Sequence, residues 1–186
     1  MLNIAVAYSR YKFLGNEFLT WLWFMIETDQ GRLRKYDTGL VSLTVGNRLV
    51  LENTNNNAKE TVTIKGDNAR LEEGLVALAK GAVVTEIHIA YKTGAQNWEF
   101  SLKGESLNIS NLKLPETGPV ETPDDLEGVV LEKVYLIEKV VGLINNFFSH
   151  FIHLRVSNTW DNQTASRIRK WATSLTTSRN ISDTGF

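Results

Sequence analysis

No part of this chain restricts its fold more than the nine residues Phe18-Leu19-Thr20-Trp21-Leu22-Trp23-Phe24-Met25-Ile26. Eight of them are apolar. At about 3.6 residues per turn, a helix built from them has no polar side to offer water. Gly15-Asn16 supplies a start for such a helix, which the pattern runs from Glu17 to about Glu27. It must be buried on every side, under a sheet or in an interface. Its unbroken core, Trp21 to Ile26, falls far short of the roughly 18 residues that cross a bilayer, so no membrane partner is expected.

A sheet is the cover the rest of the sequence predicts. From Gly31 to Ile64 the apolar period is two: Val41, Leu43 and Val45 alternate with Ser42 and Thr44, and Leu49, Leu51, Val62 and Ile64 follow. Asp37-Thr38-Gly39 and Gly46-Asn47 suit tight turns, and the Asn-rich stretch 52–58 reads as a longer loop. Asp67 is a fitting N-cap for a helix to Lys80 that stops at Gly81. Strands resume with Ile87, Ile89 and Tyr91, turn at Thr93-Gly94, and return through Trp98, Phe100 and Leu102 to a last run, Leu107 to Leu114. One apolar and one polar sheet face are the pattern of an antiparallel sheet covered on a single side.

Pro115, Pro119 and Pro123 fall within nine residues, together with Gly118. This marks a linker over 115–123. Beyond it Asp124 and Asp125 favour a helix start, and Val130, Val134, Ile137, Val141, Ile144, Phe148 and Phe151 recur at intervals of four and three. Some thirty residues make a rod of roughly 45 Å, longer than a domain of this size needs for its own core. The expected architecture is α+β: residues 13–114 an antiparallel sheet with two short helices on one face, and 124–172 a long helix plus a short C-terminal helix on the same core. Residues 173–186 read as a flexible tail. Trp21, Trp23, Val141, Phe148 and Phe151 are the candidate interface residues.

Chemistry-bearing patterns are sparse. The chain has 186 residues and no cysteine, which removes disulfides, thiolate metal sites and cysteine nucleophiles together and fits a cytoplasmic location. Two Asp-Thr-Gly triplets, at Asp37 and Asp183, bring to mind paired-carboxylate proteolysis. The second stands one residue from the C-terminus, and turn chemistry accounts for both. His150 and His153 share a helix face, but no carboxylate precedes them nearer than Glu138, so they read as surface or interface histidines. His88 is expected on the solvent side of a strand. There is no phosphate-binding glycine loop and no nucleophile elbow. The expectation is no catalytic residue, no metal, no cofactor and no enzymatic activity.

Basic clusters remain. Twenty Lys and Arg against 21 Asp and Glu leave a net charge of −1, which excludes a wholly basic coat. Locally the balance differs: Arg32, Arg34, Lys35 and Arg48 face one acid, Asp37, across 32–48. Lys65 precedes the Asp67 helix, and Arg167, Arg169 and Lys170 gather beside Trp171. With Arg32, Arg34 and Lys35 placed on one strand, these eight residues are the candidate phosphate contacts of a one-sided groove.

Six stretches stand in a fixed order and spacing over most of residues 17–172: FLTWLWFMIE (18–27), NRLVLE (47–52), KETVTIKGDNARLEEGLVALAKGAVV (59–84), WEFSL (98–102), LNISNLKLPE (107–116) and VYLIEKVVGLINNFFSHFIHLR (134–155). Through them the chain resembles the C-terminal half of RdgC-type recombination-associated proteins, and more closely shorter bacterial proteins that look like that half encoded separately. The family binds double-stranded DNA without sequence preference, forms a ring-shaped dimer and restrains recombinase activity. The resemblance therefore implies a noncatalytic, nucleoid-associated role in recombination or replication, as a homodimer or with a separately encoded N-terminal half. It implies a DNA or subunit contact at Lys65, with Gly66 standing where the family has a polar residue. The alternative reading is an interaction or structural module whose partner carries the DNA contact.

Overall fold

A computed structural model describes residues 13–37, 39–55, 58–66, 71–119 and 121–182. Helix α1 (Phe13–Thr28) and the short helix α2 (Gln30–Tyr36) precede strands β1 (Ser42–Asn55) and β2 (Ala58–Lys65). Helix α3 (Leu71–Ala79) leads to β3 (Val83–Thr93), β4 (Gln96–Lys103) and β5 (Asn108–Lys113). The chain ends in the long helix α4 (Pro123–Arg155), a π-helical turn (Trp160–Ala165) and helix α5 (Ser166–Ser182). The five strands form one antiparallel sheet in the order β2-β1-β3-β4-β5. The fold is α+β, with the helices on one face of that sheet. Among the described residues, no helix is long and apolar enough to cross a membrane.

Helix α1 is buried along Phe18–Ile26, as its composition demands, and the whole of its cover comes from this chain. The sheet lies beneath it through β3 and β1. On one flank, α4 places Phe148 5.2 Å and Phe151 5.6 Å from the Phe18 ring. On the other, Trp171 of α5 meets Trp23 edge-on at 4.8 Å and Phe24 at 5.5 Å. Trp21, Trp23 and Phe151, expected at an interface, are instead core residues, because α4 and α5 fold back over α1. Phe148 is half-buried on the same core, and Val141 alone of the five is exposed. Thr20 pins the layer: its hydroxyl donates to the Asn16 carbonyl and accepts from the Val84 amide.

Alternation along the strands is as the sequence predicts. Leu43, Leu49 and Leu51 of β1, Ile87, Ile89 and Tyr91 of β3, and Trp98, Phe100 and Leu102 of β4 are buried against the helices. Tyr91 and Trp98 are cross-strand partners with rings 4.9 Å apart, and the Trp98 indole donates to the Leu136 carbonyl of α4. Both aromatics serve packing.

The boundaries differ from expectation in five places. β1 runs through Gly46-Asn47, where the sequence predicts a tight turn and the strand instead bulges. It also stays paired with β2 as far as Asn55 opposite Ala58, where the sequence predicts a longer loop over 52–58. Arg32, Arg34 and Lys35 lie on helix α2 and not on a strand. Asp29 caps that helix by accepting from the Arg32 amide at 3.2 Å, and Leu33 is its single buried residue. One apolar position is too little to impose a period, so the cap decides. Helix α4 starts at Pro123, within the expected linker. A reciprocal box caps it, Thr122 accepting from the Asp125 amide while the Asp125 carboxylate accepts from the Thr122 amide. Helix α5 continues to Ser182, where a tail was expected from 173. Asp67 and Asp183 lie outside the described residues.

Candidate nucleic-acid interface

Residues of an antiparallel pair that face each other share a side of the sheet, so the register assigns every strand residue to the covered or the open face. Opposite the buried set, β3 presents Glu86, His88, Ala90 and Lys92, and β4 presents Asn97, Glu99, Ser101 and Lys103. β1 adds Ser42, Thr44, Arg48, Val50 and Glu52, and β2 adds Lys59, Thr61, Thr63 and Lys65. Lys113 of β5 stands beside Glu99. Val50 and Ser101 are the buried members of this face, at 7% and 2% exposure, and Ala90 is half-buried.

Among the described residues this open face carries six cations and three carboxylates, and each carboxylate has one cation of its own. Arg48 pairs with Glu86 at 2.9 Å, Lys59 with Glu52 at 2.9 Å, and Lys113 with Glu99 at 2.7 Å. The Lys113 hydrogen bond and charge hold the Glu99 carboxyl below its ordinary pKa. Lys65, Lys92 and Lys103 remain, exposed and with no carboxylate at ion-pair distance among the described residues. Lys65 on β2 and Lys103 on β4 are three strands apart, roughly 14 Å at the usual strand spacing.

The eight predicted contacts thus separate into groups. Arg48 and Lys65 are direct cross-strand partners on the open face. Arg32, Arg34 and Lys35 sit on α2, where Arg32 donates to the Tyr36 hydroxyl and Arg34 to the Val41 carbonyl, each at 2.8 Å. Arg167 reaches back from α5 to Asp29 at 3.9 Å and lies over the Phe24 ring. Arg169 and Lys170 are exposed beside it. Arg169 also lines a cavity of about 350 Å³ with Glu17, Arg155, Trp160 and Asp161, in which two cations face two carboxylates. The sheet-face cations Lys59, Lys92, Lys103 and Lys113 escaped the sequence reading. Each occupies a polar position of a strand's period of two, but their adjacency arises only in the register.

The remaining chemistry-bearing candidates have structural occupations. The Asp37 carboxylate accepts from the Gly39 amide at 2.9 Å, closing a turn. His150 stacks on Tyr36 at 3.9 Å, and the His153 Nδ1 lies 2.7 Å from the Ser149 carbonyl oxygen. His88 is half-buried, and not in open solvent. Its Nδ1 is enclosed without a hydrogen-bond partner where β1 bulges at Gly46, whose close backbone approach leaves no room for a side chain. Burial is the main cause of its lowered pKa, with Lys113 acting in the same direction and Glu99 against it. Among the described residues, no group of three His, Asp or Glu is placed to hold a metal ion.

The fold and this surface together define a class: an α+β protein with a buried tryptophan-rich helix and an open, basic sheet face. No family model, no curated protein and no solved structure matches the chain.

Proposed function

We propose that this chain is a noncatalytic, RdgC-like protein that binds double-stranded DNA through nonspecific phosphate contacts in recombination or replication. The observation that carries the reading is the cation surplus on the open sheet face, where Lys65, Lys92 and Lys103 stand beyond the three matched ion pairs. Long, exposed ammonium groups on a rigid sheet can each neutralise a phosphate and release its counterions, which gives affinity without sequence information. Few such contacts make the binding weak, and counterion release makes it fall with salt in proportion to their number. Gel shifts on duplexes of unrelated sequence should give equal affinities that rise with length and fall steeply between 50 and 200 mM salt. No shift at low salt, for the chain alone or with a separately encoded N-terminal half, overturns the proposal.

A second reading is favoured by a different surface. Helix α4 exposes a row of apolar residues, which suits a module that docks on another chain while that chain holds the DNA.

A further inference from the structure

The cavity that Arg169 lines lies among α1, the end of α4, the π-helical turn and α5, with the end of α3 and the start of β3 completing its wall. At about 350 Å³ it stands near the lower end of the range for ligand sites, which suits a small molecule. Its apolar wall is Leu78, Ala82, Val83, Ala165, Ile168 and Ala172. Three of these are alanines, whose short side chains leave the space open.

The charged wall is balanced, with Glu17 and Asp161 against Arg155 and Arg169. Arg155 donates to Glu17 at 2.7 Å, so that pair is closed, and Asp161 acts on Arg155 only at longer range. Asp161 and Arg169 are both exposed, and among the described residues neither has an opposite charge at ion-pair distance. One uncommitted anion and one uncommitted cation therefore border a single apolar hollow. The lining hydroxyl, that of Thr20, already donates to the Asn16 carbonyl and has no hydrogen left for a ligand.

The backbone brings these two charges to one side. Asp161 lies in the π-helical turn, and Arg169 follows eight residues later in the α-helix that continues it. At about 3.6 residues per turn, eight residues overshoot two full turns by roughly 80°. Bonding from i to i+5 rotates the chain less per residue, so the π segment takes up that overshoot, and both positions line the cavity. Such segments are rare and occur frequently at functional sites.

We infer that this cavity binds a small zwitterion, an α-amino acid with an apolar side chain. Its carboxylate meets the Arg169 guanidinium, its ammonium group meets the Asp161 carboxylate, and its side chain fills the alanine-rich hollow. A ligand of single charge leaves one of the two protein charges unmatched, and an uncharged one leaves both. The site belongs to the helical side of the molecule and holds whether or not the open sheet face meets DNA.

Titration of the full chain with L-leucine, L-methionine and L-phenylalanine, followed by amide and indole shifts in nuclear magnetic resonance spectra, tests it. At least one should bind saturably at about millimolar concentration, with the largest shifts at Trp160 and Ala165. Removing its amine, as 4-methylpentanoate does for leucine, or esterifying its carboxylate should weaken binding by about tenfold or more. Asp161→Asn and Arg169→Gln should each do the same with unchanged far-ultraviolet circular dichroism, because both side chains are exposed. Ala165→Leu should abolish binding by filling the hollow while both charges stay. Absence of a saturable shift with all three amino acids at about 10 mM overturns the inference. Equal affinity for the amino acid and its amine-free analogue, or undiminished binding by either charge variant, overturns the zwitterion assignment.

Discussion

The Arg155 guanidinium at the end of α4 donates to the Glu17 carboxylate on α1 at 2.7 Å, joining positions 138 residues apart. The same guanidinium lies over the Trp160 ring, 5.4 Å from its centre. The Glu17 hydrogen bond also raises the Arg155 pKa, so the guanidinium keeps its charge. Both side chains are about one-third exposed, which limits the strength of the ion pair. Glu17→Gln should cost about 1 kcal/mol in urea unfolding, the scale of a charge-assisted hydrogen bond replaced by a neutral one. Arg155→Ala should cost about 2 kcal/mol, because the contact with Trp160 goes with it. Equal costs for the two variants would show that the stacking contributes nothing.

A second contact brings α1 against the turn between β4 and β5. A Cβ added to Gly15 would stand 1.8 Å from the carbonyl oxygen of Gly104, which is backbone of the turn between β4 and β5 and cannot swing away. Gly15→Ala should therefore destabilise by about 3 kcal/mol or more, an overpacking penalty at the high end of its range. Gly128 and Gly142 on α4 are the internal comparison, with nothing within 4 Å of an added Cβ. Alanine at either should stabilise by about 0.5–1 kcal/mol through helix propensity. Thermal unfolding of the three variants checks both signs at once.

His88 makes stability depend on pH. Its folded pKa lies below the ordinary value of 6.5, chiefly because burial disfavours the imidazolium. The unfolded chain therefore takes up the proton first as pH falls. The contribution of neutral His88 is complete above the unfolded pKa and is lost as pH drops from there through the folded value. The difference in unfolding free energy between the native protein and His88→Asn should hence narrow or reverse between pH 7.5 and 5.5, the native protein losing ground. Parallel pH profiles for the two proteins would exclude this role.

Much of the fold is legible in the sequence because burial leaves a periodic trace. Phe18–Ile26 has no polar side and is buried throughout, and Ile87, Ile89 and Tyr91 alternate as a half-covered strand must. What covers the apolar helix was not legible. Trp171 reaches Trp23 across nearly 150 residues, and nothing local in either segment announces the other. Arg32, Arg34 and Lys35 were misplaced because one buried leucine fits helix and strand alike. The basic surface was half legible. Arg48 and Lys65 attract notice as charges near turns, whereas Lys92 and Lys103 become their neighbours only through cross-strand register, which side-chain alternation constrains but does not specify.

The same register yields the sharpest expectation about DNA. Among the described residues, Lys65, Lys92 and Lys103 have no carboxylate to leave, while Lys59, Lys113 and Arg48 must each break or share an ion pair to reach a phosphate. If each lysine of the first set neutralises one phosphate, its replacement by alanine should reduce the slope of log affinity against log salt by about 0.9 and weaken binding to all sequences alike. Lys59→Ala and Lys113→Ala should change the slope by less than half as much, since they also release Glu52 or Glu99 to repel the backbone. The helical residues Arg34 and Lys170 provide the contrast. A larger slope change on their removal than on removal of Lys65, Lys92 and Lys103 would move the DNA site from the sheet to the α2 and α5 end of the molecule. Fluorescence anisotropy with one labelled duplex, titrated at four salt concentrations for each variant, measures these slopes directly.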